Sequence, residues 1–240
     1  MEDYTIVEPD LFGDSKFAFF GVLDGHGGNS VAKYMKENYV KLLKTRLDFY
    51  RNAYTIGNIL KMTIDNIEKQ LQMIGGRDCG STFCALLFDL RNKRIWSVNI
   101  GDSKALKLSL DKTRKTPSRF LTIEHKASNA DEVKRVEKQG GCILNGRLAG
   151  NLLVTRSLGD FDFKKYGLVS TPDVEEIDLE ENQLYVIASD GIWDVLDITH
   201  FEKQVNEANN GDLKSVARRV CGQAVKLGST DNISLILIRT

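Results

Sequence analysis

Short apolar runs rich in aromatic and β-branched residues recur along the chain at 17–23, 82–88, 95–100, 184–188 and 233–238. Each is too short for a typical helix, and several are apolar at consecutive positions. They therefore predict strands covered on both faces, either in a sheet sandwich or in a sheet overlaid by helices. A different period governs Val31, Tyr34, Met35, Tyr39 and Leu42, with Asn29 or Ser30 placed to cap the start. It recurs in Leu60, Ile64, Ile67 and Leu71, and again in Leu213, Val216, Val220 and Ala224. Residues three and four apart share one helix face, so these stripes predict three helices that each bury one side. A fourth helix is expected over about 129–139, with Asp131 and Glu132 in its first turn and Gly140-Gly141 as its stop.

Composition narrows this picture. The 240 residues are 42% hydrophobic and 28% charged, with no repeat and no Pro-, Ser- or Gly-rich linker, and a single domain over 1–240 is expected. Thirty-three basic residues balance 33 acidic ones, so no overall field favours nucleic acid or an anionic membrane, and a monomer is expected. Cys79, Cys84, Cys142 and Cys221 lack paired metal-ligand spacing and are too few for a disulfide scaffold. No run approaches the roughly 20 apolar residues that span a bilayer, and the acidic start Met1-Glu2-Asp3 is unlike a signal peptide. The expectation is reduced thiols in a cytoplasmic or nuclear protein.

The positions of the carboxylates carry the chemistry. The runs 17–23 and 184–189 both stop at Asp-Gly, at Asp24-Gly25 and Asp190-Gly191. The run 95–100 stops at Gly101-Asp102, and the last begins just after Asp231-Asn232. Singly, each is an ordinary turn former. Together, if the strand ends share one rim, they cluster negative charge. Two carboxylates about 4 Å apart repel by about 4 kcal/mol at an effective dielectric of 20, a sizeable part of net stability. Such a cluster needs cations or raised pKa values. With only His26, His125 and His200 available and the cysteines dispersed, nitrogen and sulfur ligation of zinc fits poorly. Oxygen ligands favour Mg²⁺ or Mn²⁺ acting on phosphate. There is no Gly-x-x-x-x-Gly-Lys-Ser/Thr loop, which leaves phosphoryl transfer to water.

Met1-Glu2-Asp3, the segment Gly21-Val22-Leu23-Asp24-Gly25-His26-Gly27-Gly28, Gly80-Ser81-Thr82 and Gly101-Asp102-Ser103 occur in order. Arg156-Ser157-Leu158-Gly159-Asp160, Ser189-Asp190-Gly191-Ile192-Trp193-Asp194 and Asp231-Asn232 follow. This ordered set resembles the type 2C (PPM) protein phosphatases over nearly the whole chain. The resemblance implies an α+β fold, a four-layer α-β-β-α sandwich of two antiparallel sheets flanked by helix pairs, with a flap region at about 125–165. It implies two metal ions, Mg²⁺ or Mn²⁺, at one end of the sandwich, and phosphoprotein substrates. Asp24, Asp190 and Asp231 match the ligands of one ion; Glu2, Asp24 and the carbonyl of Gly25 match those of the other. Asp3 matches a carboxylate acting through bound water, and Asp102 with Asp190 matches a weaker third site. A hydroxide held by the two ions would attack phosphorus, with His26 as the acid for the departing seryl or threonyl oxygen.

Arg147 matches a flap arginine that helps peptides dock, against the plain alternative of a solvated charge. Thr82 matches a site-proximal threonine, or is simply a strand residue; His125 stands where the flap begins, and His200 has no assigned role. One departure follows from the resemblance. The family's phosphate-gripping arginine and opening strand precede Met-Glu-Asp, and neither is present in this sequence. A catalytically impaired pseudophosphatase acting as a scaffold is the alternative, although no metal carboxylate is lost; a small-molecule phosphoesterase is a third reading.

Overall fold

A computed structural model describes residues 1–110, 117–207 and 212–240. In chain order the elements are β1 (Tyr4–Glu8), β2 (Phe17–Leu23), β3 (Gly25–His26), α1 (Ser30–Tyr50), α2 (Ile56–Ile74), β4 (Gly80–Ser81), β5 (Phe83–Asp89), β6 (Arg94–Ile100) and β7 (Lys104–Ser109). There follow β8 (Arg119–Phe120), α3 (Ala130–Lys138), β9 (Ile143–Leu144), β10 (Arg147–Leu148), β11 (Leu158–Gly159), α4 (Phe161–Lys164), β12 (Asp173–Asp178) and β13 (Gln183–Ala188). The last are α5 (Asp190–Trp193), α6 (Ile198–Glu207), α7 (Leu213–Lys226) and β14 (Leu235–Arg239).

Two antiparallel sheets form the centre, one in the order β1-β2-β5-β6-β12 and the other β14-β13-β7-β8. Side chains alternate across a strand, so each doubly apolar run feeds two separate cores. In β2 and β5, Phe19, Leu23, Phe83, Ala85 and Leu87 face α1 and α2, where they meet Met35, Tyr39, Leu60 and Ile64. Their neighbours Ala18, Val22, Cys84, Leu86 and Phe88 face the other way, onto Ala105, Tyr185, Ile187 and Ile236 of the second sheet. The outer face of that sheet, Leu106, Leu108, Leu184 and Val186, is covered by Phe201, Val216 and Val220 of α6 and α7. Three apolar layers between four structural layers give the α-β-β-α sandwich that the resemblance implied.

The helices start and stop for local reasons. Thr55 Oγ1 accepts from the Asn58 amide at the head of α2, and Gly75, at φ 121°, ends it. Asn129 caps α3 by accepting from the Asp131 amide, and Gly140 follows at φ 80°. At α1 the capping expectation fails: Asn29 stands at the N-cap but its side chain makes no cap bond, and Ser30 Oγ donates to Cys79 Sγ at 3.3 Å. The strand predicted at 233–238 begins two residues later, since 232–234 are drawn into a turn by bonds to Ser189. Tyr4–Glu8, absent from the predicted strands, pairs with β2 along the edge of the first sheet.

Candidate active site

The strand ends do converge. Asp24 follows β2 directly. Its carbonyl accepts from the Thr82 amide at 2.9 Å, and its amide donates to Thr82 Oγ1 at 3.3 Å. Thr82 Oγ1 lies 2.8 Å from Ser103 Oγ, so this threonine is both a buried residue between strands and a tie between the Asp24 and Asp102 turns. At Gly25 the backbone of Glu2 passes so close that a Cβ would sit 2.6 Å from the Glu2 carbonyl oxygen. Glu2 donates its amide to Asn232 Oδ1 at 2.8 Å. A Cβ on Gly191 would meet the Asn232 carbonyl oxygen at 2.1 Å, and Ser229 Oγ donates to the Gly191 carbonyl at 2.6 Å. The turns carrying Asp190 and Asp231 are therefore interlocked through backbone, and glycine is required where they touch.

Glu2, Asp24, Gly25, Asp102, Asp190 and Asp231 line one cleft of about 420 Å³, together with His26 and Arg147. Asp3 is buried beside them, with the hydroxyls of Ser234 and Ser189 near its carboxyl. All the carboxylates singled out in the sequence thus share one neighbourhood, with Asp3 just outside the cleft lining.

Their crowding has an electrostatic signature. Burial, then the charges of Asp190, Asp3 and Asp102, push the Asp24 carboxyl up to about 9. Burial and the Asp102 charge push Asp190 up to about 6. Asp3 is also raised, mainly by burial. Asp3 Oδ2 and Asp190 Oδ1 are buried without a protein hydrogen-bond partner. Among the described residues no three His, Cys, Asp or Glu side chains already stand as a metal cage. Burial and mutual repulsion favour the protonated form of these carboxyls, as they would favour a bound cation. Orphaned, buried, all-oxygen donors with raised affinity for a proton are a donor set suited to a hard divalent ion.

His26 lines the same cleft, its Nε2 2.6 Å from Asp160 Oδ2. Asp160 is 1% exposed, sits at φ 49°, and accepts a second hydrogen bond from Ser157 Oγ at 2.6 Å. Burial opposes charge on His26, but the Asp160 hydrogen bond and charge outweigh it and raise the imidazole above its ordinary value. A carboxylate can only accept, so Nε2 carries the proton. The loop under this pair is anchored: Lys164 Nζ reaches the Ser157 carbonyl at 2.9 Å and Glu68 at 2.7 Å, and Glu68 accepts from the Gly159 amide. Gly80 is the spacer, since a Cβ there would fall 1.9 Å from Asp160 Oδ2 and 2.6 Å from His26 Nε2. Asp160 was visible in the sequence only as the end of Arg-Ser-Leu-Gly-Asp; its partnership with His26, 134 residues away, was not.

Arg147, on β10, lines the cleft and donates to the Asn151 carbonyl at 2.8 Å. His125 is buried: its Nδ1 accepts from the Gly101 amide at 3.1 Å, so Nε2 bears the hydrogen and donates to Asp173 Oδ2 at 3.0 Å. His200 pairs with Asp197 on the surface, outside the cleft lining. Asp102, matched to a weak metal site with Asp190, is already paired with Lys126 Nζ at 3.0 Å.

A family model described as Protein phosphatase 2C matches residues 1–233. The chain belongs to that family. It is 33% identical over 245 residues to Probable protein phosphatase 2C 11 of Arabidopsis thaliana, covering 100% of this chain and 62% of that protein. To Protein phosphatase 1A of Homo sapiens it is 33% identical over 262 residues, covering 99% of this chain and 66% of the relative. The chain thus spans somewhat under two thirds of the length of these relatives. Among solved structures, a serine-threonine phosphatase 2C from Toxoplasma gondii has the same fold, with a TM-score of 0.79 at 21% identity over 98% of this chain and 89% of that one. A C. elegans sex determining protein superposes with a TM-score of 0.86 at 24% identity, over 98% of this chain and 60% of that one. In this family setting the cleft is the candidate catalytic centre. No helix among the described residues is long and apolar enough to cross a membrane.

Proposed function

We propose that this chain hydrolyses phosphoserine and phosphothreonine in proteins, using Mg²⁺ or Mn²⁺ held by Glu2, Asp24, the Gly25 carbonyl, Asp190 and Asp231. When bound, the ions supply positive charge that acidifies water and neutralises the phosphoryl oxygens. The protein's own part is positional. Asp24 is fixed by Thr82 and by the close pass of Glu2 over Gly25, so the carboxylates are held together before any ligand arrives. His26 lines the same cleft; its Nε2–H is held by Asp160, whose charge keeps the ring cationic, so the proton for the departing seryl or threonyl oxygen would come from Nδ1. Arg147 offers donors to the phosphate or to the peptide backbone.

The single observation that carries this reading is the cleft itself: a crowded carboxylate cluster with orphaned buried oxygens, faced by a histidine whose proton is secured by a buried aspartate. The test is release of phosphate from a phosphothreonine peptide with Mn²⁺ or Mg²⁺, before and after exhaustive chelation, with Asp190→Asn alongside. Metal-dependent turnover that the variant loses while keeping its fold supports the proposal. Turnover that survives chelation refutes it, as does metal binding with no turnover of any phosphopeptide.

A further inference from the structure

Asp160 holds His26 from an uncommon backbone conformation. It stands at φ 49° directly after Gly159 at φ 71°, and a residue with a side chain occupies that left-handed region at an energetic cost. Neighbours must therefore fix the turn. The Asp160 amide donates to the Cys79 carbonyl at 3.0 Å, and the Gly159 amide donates to Glu68 Oε2 at 3.1 Å. Glu68 reaches the turn from α2, whose Ile64, Ile67 and Leu71 are buried in the core, so the turn is tied to a rigid element 91 residues away in the chain.

Glu68 also faces a cation. Lys164 Nζ stands 2.7 Å from its Oε1, an ion pair poorly aligned for a hydrogen bond, and donates to the Ser157 carbonyl at 2.9 Å. The side chains of Glu68 and Lys164 are 14% and 24% exposed, so their charges are shielded from solvent and count for more than those of a surface pair. Burial pulls the Lys164 ammonium below its ordinary value, and the charges of Glu68 and Asp160 oppose that pull. The ammonium thus feels two carboxylates and pairs with one. The other, Asp160, receives both His26 Nε2 and Ser157 Oγ on its Oδ2. A lysine stem is flexible, so which carboxylate the ammonium takes depends on Glu68 being charged and in place.

We infer that Glu68 is a positioning residue for the acid step: it holds the Lys164 ammonium away from Asp160 and leaves that carboxylate to orient His26. The inference rests on the proposed role of His26 as proton donor. Without the Glu68 charge, Lys164 turns to Asp160 and the imidazole loses its tether, while the carboxylates of the cleft stay where their own turns hold them.

The experiment compares wild type, Glu68→Gln, Lys164→Met and the double variant, each as the full chain with Mn²⁺, on a phosphothreonine peptide and on p-nitrophenyl phosphate, with thermal unfolding of each. Glutamine can still accept from the Gly159 amide but no longer holds the ammonium. Glu68→Gln should lower kcat on the peptide about tenfold with KM little changed, and by less than about twofold on the aryl phosphate, whose leaving group needs no acid. Lys164→Met should cost about threefold, and the double variant should recover to that level because the competitor is gone. The exchange-protected Nε2 proton of His26, read by NMR in chelator, should be lost in Glu68→Gln and return in the double variant. If Glu68→Gln melts below the assay temperature, Glu68→Asp, which draws the charge back by one methylene, gives the same comparison at smaller amplitude. Unchanged kcat and an unchanged Nε2 proton in the Glu68 variant, equal losses on the two substrates, or a double variant no better than the Glu68 variant alone would each overturn this inference and leave the phosphatase reading intact. A wild type that turns over no phosphopeptide overturns both.

Discussion

Replacing Glu132 by glutamine should cost this protein about 3 kcal/mol at neutral pH, and the cost should shrink as the solution becomes acidic. Glu132 is 3% exposed on α3. Its carboxylate accepts from Arg156 Nε and Nη2 at 3.0 and 2.6 Å, from Arg135 Nη2 at 2.8 Å, and from Thr155 Oγ1 at 2.7 Å. Burial alone would raise the carboxyl, but the hydrogen bonds from Arg156, Arg135 and Thr155 outweigh it and hold it at about 2 in place of its ordinary 4.5. That difference corresponds to about 3 kcal/mol of stabilisation of the folded state. The sign follows from linkage. A depressed carboxyl contributes fully above its unfolded value, and the contribution fades as pH falls from about 4.5 through about 2. Glutamine keeps the volume and loses the charge, leaving two guanidinium groups partly uncompensated. The assay is urea unfolding of wild type and Glu132→Gln at several pH values from neutral to about 3, read as the difference between them. A loss below about 1 kcal/mol at neutral pH, or a difference that stays constant on acidification, would refute the reasoning. The same variant should raise KM for phosphopeptide more than it lowers kcat, because Arg156 also holds Asp173, which holds His125 against Gly101 beside the cleft.

Asp160→Asn removes the charge that keeps His26 protonated against burial, so the alkaline limb of the kcat profile should move to lower pH. Turnover of poor leaving groups should fall by about 10² to 10⁴, and an unchanged profile would exclude His26 as the acid. A raised histidine stabilises the fold below its unfolded pKa and ceases to as pH rises through its folded one, so this variant should lose stability on the acid side. Gly80→Ala drives a methyl onto Asp160 Oδ2; it should cost about 1 to 3 kcal/mol and lower activity as Asp160→Asn does, and near-normal turnover would show that the pair has room to shift. Tyr39 is fully buried with no partner for its hydroxyl, so Tyr39→Phe should be neutral or stabilising by about 1 kcal/mol in urea unfolding; a loss of that size would reveal a hidden hydrogen bond. Without metal, carboxyls raised to about 6 and about 9 favour the folded state at low pH and cease to as pH rises through those values. Calorimetry in chelator should therefore show Tm falling as pH rises from the ordinary carboxyl value of 3.8, first through about 6 and then more gently through about 9, and Mn²⁺ should flatten the slope; a flat chelator profile would mean the carboxyls are not crowded.

What the sequence made legible followed from periodicity. β2, β5, β6 and β13 were readable because both faces of each are buried, which writes an unbroken apolar run. β12 was not, since Asp-Val-Glu-Glu-Ile-Asp is an edge strand with four exposed acids whose order comes from its six-residue register with β6. β7 was obscured by Lys107, which is buried only because Glu180 meets its ammonium. The carboxylates were legible as strand termini, and their convergence followed once the strands were placed. Asp160 and Lys126 lie in irregular segments, where no period marks which side chain turns inward; only the tertiary structure brings them to His26 and Asp102.

The cleft also explains why its backbone is built so tightly. Crowded carboxylates repel, and a pliable loop would relieve the repulsion by moving them apart. At each turn here that route is closed: Gly25 is pressed against Glu2, Gly191 against Asn232, and Gly101 against Thr82, where a Cβ would lie 2.7 Å from Cγ2. The strain of bringing like charges together is borne by the two sheets whose ends carry them, and these are anchored by three apolar layers. With the acids unable to separate, relief must come from added positive charge. The cluster responds with a raised affinity for a proton at Asp24 and Asp190 and with an ammonium against Asp102, and the same rigidity prepares the inner acids for a divalent ion. A softer rim would be more stable without metal and less able to hold one.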